Sequence, residues 1–181
     1  MPGIGIYDGV FSEEQSLQWY QFLVYRCKFR YGETDRSDLP PTGMIINIRK
    51  RNTIENDDEI IKEIHDYLLN IITTIIPSFN ENSLIRSYIN LFIPNEIPYF
   101  HQDDSCGTTC MFYINPVTPI DEGGETQFYI DGNIKGVCPV PGRLVTFDGS
   151  LVHRATSFRN IPRITLVYKF IDFNKLYNTY R

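Results

Sequence analysis

The segment His101-Gln102-Asp103 sets an imidazole and a carboxylate two positions apart, just ahead of the apolar run TCMFYINP at 109–116. In an extended chain alternate side chains share a face, so His101 and Asp103 project together while Gln102 and Asp104 project to the other side. Two such groups can grip one ion, but the stretch also reads as a polar turn ahead of a strand. A further imidazole would complete the two-histidine, one-carboxylate face that suits non-haem Fe(II) and leaves coordination positions open. Of the three histidines, His153 is the candidate, because it sits in the strand-like run LVHRAT behind the turn Asp148-Gly149-Ser150. His65 lies between core positions of a helical pattern, beside charged residues, and reads as solvated surface or a helix-face contact.

Ten residues beyond His153, Arg163 opens the run ITLVYKF. A guanidinium inside a β framework is costly unless it meets an anion, and its paired donors match both oxygens of a carboxylate. A buried Arg163 therefore predicts an acidic ligand; the plainer alternative is a surface arginine beside a proline turn.

These residues need a scaffold, and the chain supplies a recognisable order of elements. Ser12 ahead of Glu13, Glu14 and Gln15 has the form of a capping box, and Leu17, Trp19, Tyr20, Leu23 and Val24 follow at helical spacing, which predicts a helix over about 12–25. The stretch 31–43, YGETDRSDLPPTG, is a loop long enough to form a lid, or a plain connector. Ile60, Ile61, Ile64, Tyr67, Leu68, Ile71, Ile72 and Ile75 recur every three or four residues behind an acidic start, predicting a second helix that stops by Pro77. Beyond it the period changes to short β-rich segments separated by Pro, Gly, Asn and Asp turns, about six to eight strands in all. Helices followed by strands imply an α+β domain whose helices cover one face of a sandwich or small barrel.

With 181 residues and no internal repeat or linker, the chain reads as one domain. A net charge of -5 provides no general attraction for nucleic acid or an anionic membrane. The start MPGIGIYDGVF lacks the form of a signal peptide, and no apolar stretch is long enough to span a bilayer, so the reading is a soluble intracellular protein. Cys27, Cys106, Cys110 and Cys138 fit free thiols better than a disulfide framework or a zinc cluster, and Cys106 and Cys110, flanking the metal-strand candidate, are candidates for oxidation.

In order along the chain, His101-x-Asp103, EGGETQF at 122–128, PGRLVTF at 141–147, His153 and Arg163 resemble the pattern of the Fe(II)- and 2-oxoglutarate-dependent dioxygenases, in particular the prolyl 4-hydroxylase-like branch. The resemblance spans about residues 84–170. It implies a double-stranded β-helix, or jelly roll, over about 84–172, with N-terminal helices within about 1–80 packed on the major sheet. It also implies iron held by His101, Asp103 and His153, and Arg163 on the distal carboxylate of 2-oxoglutarate. Tyr113 is placed like the tyrosine that assists that arginine; Thr109 shares its strand parity, and Asn90 and Phe92 would add to the pocket wall. Such an enzyme takes O2 as co-substrate, releases succinate and CO2, uses ascorbate as reductant, and makes an oxidant able to attack an unactivated C–H bond.

Other features read as structural. Gly123-Gly124 and Pro141-Gly142 are turns or bulges without a direct chemical role, and Asp104 has the wrong parity for a ligand. Two departures bear on substrate. Arg163 stands where many collagen-type enzymes have Lys, and NLFIPN at 90–95 also resembles AlkB-like nucleic-acid demethylases. Those enzymes usually carry a second Arg six residues past the first, and here that position is Lys169. Arg49-Lys50-Arg51 is the sole short basic cluster and reads as a solvated loop. The balance favours a protein or peptide substrate over a damaged base; a free amino acid or small molecule is a further possibility, and a non-catalytic binding module the least favoured.

Overall fold

The computed structural model describes residues 3–32, 34, 36–103, 107–116 and 119–171. Asp104 and Cys106 lie outside them. In chain order the elements are β1 (Ile4–Tyr7), α1 (Glu13–Arg26), β2 (Arg30–Tyr31), β3 (Met44–Lys50), β4 (Thr53–Ile54), α2 (Glu59–Ile75), β5 (Leu84–Phe92) and β6 (Gly107–Tyr113). After these come β7 (Thr126–Ile130), β8 (Asn133–Val137), β9 (Leu144–Asp148), β10 (His153–Ala155) and β11 (Arg163–Ile171).

Both helices form where their start signals stand. The Ser12 hydroxyl accepts from the Gln15 amide while the Gln15 side chain accepts from the Ser12 amide, completing the box. Asp58 caps α2 by accepting from the amides of Ile60 and Ile61.

A large antiparallel sheet runs in the order β1-β9-β6-β11-β5-β3-β2, with β4 beside β3, and a small sheet in the order β10-β7-β8. The strands β5, β6 and β11 at the middle of the large sheet are two-faced. Leu91, Cys110, Phe112, Ile164, Leu166, Tyr168 and Phe170 join one apolar cluster with Leu23 of α1 and Ile61, Ile64, Leu68 and Ile72 of α2. Both helices thus pack on one face of the large sheet. The other face meets the small sheet through Tyr88, Met111, Tyr113, Val145, Phe147 and Val167 against Phe128 and Val137.

Several elements differ from the sequence reading. His65 is 4% exposed, with its ring centroid 5.1 Å from that of Tyr168, so it makes a helix-face contact and is not solvated surface. Arg49 and Lys50 end β3 instead of lying in a loop, and only Arg51 occupies the turn, at φ 52°. Cys110 is fully buried, and burial pushes its thiol far above the usual range, so it is not poised for oxidation. Among the described residues no helix is long and apolar enough to cross a membrane.

Candidate active site

His101 and His153 face each other because two backbone hydrogen bonds pair them, His101 N to His153 O and His153 N to His101 O, both 2.9 Å. The Asp103 amide extends this pairing by donating to Gly149 O at 2.8 Å. The Asp148-Gly149-Ser150 turn is itself fixed by the Asp148 carboxylate, which accepts from the amide and hydroxyl of Ser150. A turn and a short antiparallel pairing thus bring together residues 52 positions apart or nearly so in sequence, without a long strand at 99–103.

Ligand atoms of His101, Asp103 and His153 lie within 4.8 Å of one another. Nε2 of His101 is 3.6 Å from Asp103 Oδ1, and Nε2 of His153 is 3.7 Å from Asp103 Oδ2. Each ring is oriented by its other nitrogen: Nδ1 of His101 contacts Tyr99 O at 3.0 Å, and Nδ1 of His153 contacts Leu151 O at 2.8 Å. A carbonyl can only accept, so Nδ1 carries a proton in both rings and Nε2 is the nitrogen turned toward Asp103 and left for a metal. Burial lowers the His153 pKa, against the pull of Asp103, and so favours the neutral imidazole a metal needs. For Asp103 burial acts upward, but His101, Lys169 and His153 overcome it and hold the carboxyl far below the usual carboxylate range. The donor set, its tautomers and its charge state fit a divalent metal ion.

These residues line a cavity of about 240 Å³ together with Asn90, Phe92, Thr109, Thr126, Arg163, Thr165 and Lys169. Arg163, the first residue of β11, is 1% exposed. Its Nε donates to Gly124 O at 2.8 Å and its Nη2 to Thr126 Oγ1 at 3.0 Å. Burial lowers its pKa, while Tyr113 and Glu125 support the charge. The glycine motif has a chemical consequence that its reading as a plain turn omits. Gly124 adopts φ 80°, and a Cβ there would fall 2.1 Å from the Phe158 ring, so only glycine can place that carbonyl on Arg163.

Tyr113 is buried, and its hydroxyl shares a 2.7 Å hydrogen bond with Thr126 Oγ1 and donates to Val137 O at 3.0 Å. Thr126 therefore links Tyr113 to Arg163. The Thr109 hydroxyl donates to Asp103 Oδ2, which sets it beside the candidate metal-binding carboxylate. Asn90 and Thr165 are register partners on β5 and β11, and Asn90 Oδ1 and Thr165 Oγ1 are buried polar atoms with no hydrogen-bond partner among the described residues. Polar atoms orphaned in a cavity wall beside a buried guanidinium fit a polar ligand.

Sequence reasoning quoted Thr126 only inside the EGGETQF motif, without a role of its own, passed over Thr165, and weighed Lys169 only for its place in another pattern. Lys169 Nζ donates to Asp103 Oδ1 at 2.7 Å. Burial opposes its charge, but Tyr88 and Asp103 outweigh burial and raise its pKa.

No protein-family model matches the chain, and no curated protein matches it. Solved structures do. A prolyl hydroxylase from Trichoplax adhaerens, in complex with a hypoxia-inducible-factor peptide fragment, superposes at TM-score 0.74 with 17% identity, covering 98% of this chain and 87% of that one. A Pseudomonas putida prolyl-4-hydroxylase gives 0.64 with 18% identity over 93% and 92%. HygX from Streptomyces hygroscopicus, with nickel and 2-oxoglutarate bound, gives 0.64 with 10% identity over 93% and 82%. The chain shares the fold of these proteins.

Proposed function

We propose that this chain, which has the fold of prolyl hydroxylases and other 2-oxoglutarate and Fe(II) oxygenases, is a dioxygenase that hydroxylates a C–H bond. The observation that carries the reading is one cavity lined by both the His101, Asp103 and His153 donors and the buried Arg163. We read the two sheets as a double-stranded β-helix, within a single domain spanning 1–181.

His101, Asp103 and His153 would hold Fe(II), and Arg163 would pair with the distal carboxylate of 2-oxoglutarate. The neutral partners of that guanidinium, Gly124 O and Thr126 Oγ1, orient it without cancelling its charge. Asn90 and Thr165 stand in the same wall to meet the remaining polar atoms of the keto acid. Bound iron and keto acid supply the oxidative chemistry with O2, leaving succinate and CO2. Phe92, Met111, Phe147 and Val167 supply the apolar part of a lining that is otherwise mostly polar.

For the prime substrate the reading is a protein or peptide, supported by the peptide held in the Trichoplax relative and by the acidic balance of this chain, which disfavours a phosphate backbone. Succinate release with Fe(II), ascorbate and 2-oxoglutarate, measured across proline-rich peptides, free amino acids and methylated oligonucleotides, tests this. Stimulation by peptides supports it. Stimulation by oligonucleotides or amino acids alone moves the substrate class, and failure to bind Co(II) and 2-oxoglutarate together removes the enzyme reading itself.

A further inference from the structure

Asp103 lies outside the regular strands, next to residues 104–106, yet both its oxygens are engaged from the sheet. Lys169 donates to Oδ1 and Thr109 to Oδ2. Lys169 and Thr109 are direct register partners on β11 and β6, two central strands of the large sheet. Both project from the cavity face, since Arg163, Thr165, Val167 and Lys169 alternate with the helix-facing Ile164, Leu166, Tyr168 and Phe170. The Asp103 side chain is 5% exposed and that of Lys169 is 23% exposed, so water competes weakly for either donor bond.

Building on the proposed iron site, we infer that Lys169 and Thr109 are positioning residues: a sheet-borne clamp that fixes which way the Asp103 carboxylate meets the metal. The two histidines take their orientation from backbone carbonyls of their own segments, Tyr99 O and Leu151 O. Asp103 instead takes its orientation from side chains 6 and 66 positions away. A carboxylate with a single oxygen tied can still rotate about its Cβ–Cγ bond; tying both stops that rotation. The ammonium also offsets part of the ligand charge, which works against cation binding. Outer partners of metal ligands nonetheless cost roughly 10- to 100-fold in affinity when removed, so orientation outweighs that repulsion.

The test is an anaerobic Co(II) titration of the full chain, following affinity and the visible ligand-field spectrum, without turnover. Wild type binds Co(II) with one spectrum. Lys169→Met and Thr109→Val should each bind roughly tenfold or more weakly, with a shifted spectrum. Lys169→Arg and Thr109→Ser, which keep a donor, should recover most of the affinity and the original bands. Thermal melting of each variant without metal shows whether it folds, and Thr109→Val against Thr109→Ser carries the comparison if Lys169→Met does not. Wild-type affinity and spectrum in both Lys169→Met and Thr109→Val would overturn the clamp while leaving the iron site intact. A wild type that binds no Co(II), or binds it equally after His153→Ala, would overturn the site itself.

Discussion

The two faces of the large sheet are built from the same strands and obey different rules. On β11 one set of alternate residues is Ile164, Leu166, Tyr168 and Phe170, all fully buried and packed with the helices. The other set is Arg163, Thr165, Val167 and Lys169, which lines the cavity. The first face is held by apolar area removed from water; the second retains a buried guanidinium, an ammonium and an unpartnered hydroxyl that packing alone would exclude. Stability and chemistry are thus separated by one step along each strand, and substitutions should sort by parity.

The largest effect falls on the cavity face. His101→Ala or His153→Ala removes one of three donors, and Co(II) should no longer survive desalting while succinate release stops. Retention of stoichiometric metal by either variant would contradict the ligand assignment. Arg163→Leu comes next. If this buried, hydrogen-bonded cation pairs with the keto-acid carboxylate as proposed, its loss should raise the 2-oxoglutarate KM roughly 30-fold or more, with metal binding kept. An unchanged KM would remove Arg163 from the keto-acid site. All three variants should melt much closer to wild type than a helix-face truncation does.

On the helix face, Leu68→Ala should cost about 3 kcal/mol of folding free energy, since Leu68 is fully buried against the sheet. Urea denaturation reads this directly. The KM for 2-oxoglutarate, measured on the folded fraction, should stay within about twofold because Leu68 packs in the helix-side cluster and does not line the cavity. A large KM change would mean that the faces are coupled.

The same parity explains what could be read from the chain. Both helices were legible because their apolar spacing and caps are local, and β5, β6 and β11 because their apolar runs are long. Of the strands that escaped, β1 carries Gly5 and β3 has a register shift between Asn47 and Arg49, which breaks the two-residue period. β8, NIKGV, has little apolar content; its signal was the Asp131-Gly132 turn, where φ is 50° and 77°. In the site, His101, Asp103, His153 and Arg163 stood out as residue types that are costly inside a sheet. Thr109, Thr126 and Thr165 gave no such signal, because threonine is also an ordinary strand former. Lys169 gained meaning only when folding brought it onto Asp103 across 66 positions.

The smallest effect concerns His65, the polar exception on the helix face. Burial lowers its pKa below 6.5, partly opposed by the 3.0 Å contact of Nδ1 with Asp66, while Arg49 adds to the lowering. The folded state therefore favours the neutral ring, and the unfolded chain takes up the proton first as pH falls. Its contribution to stability is complete above the unfolded value near 6.5 and is lost progressively below it. Melting temperatures at pH 7.5 and 5.5 should fall less in His65→Leu than in wild type, because leucine has no proton to gain and other titrating groups act alike in both proteins. An equal fall in the two would mean that the ring beside Tyr168 takes its proton as readily folded as unfolded. The helix face would then owe nothing to the charge state of its one buried imidazole.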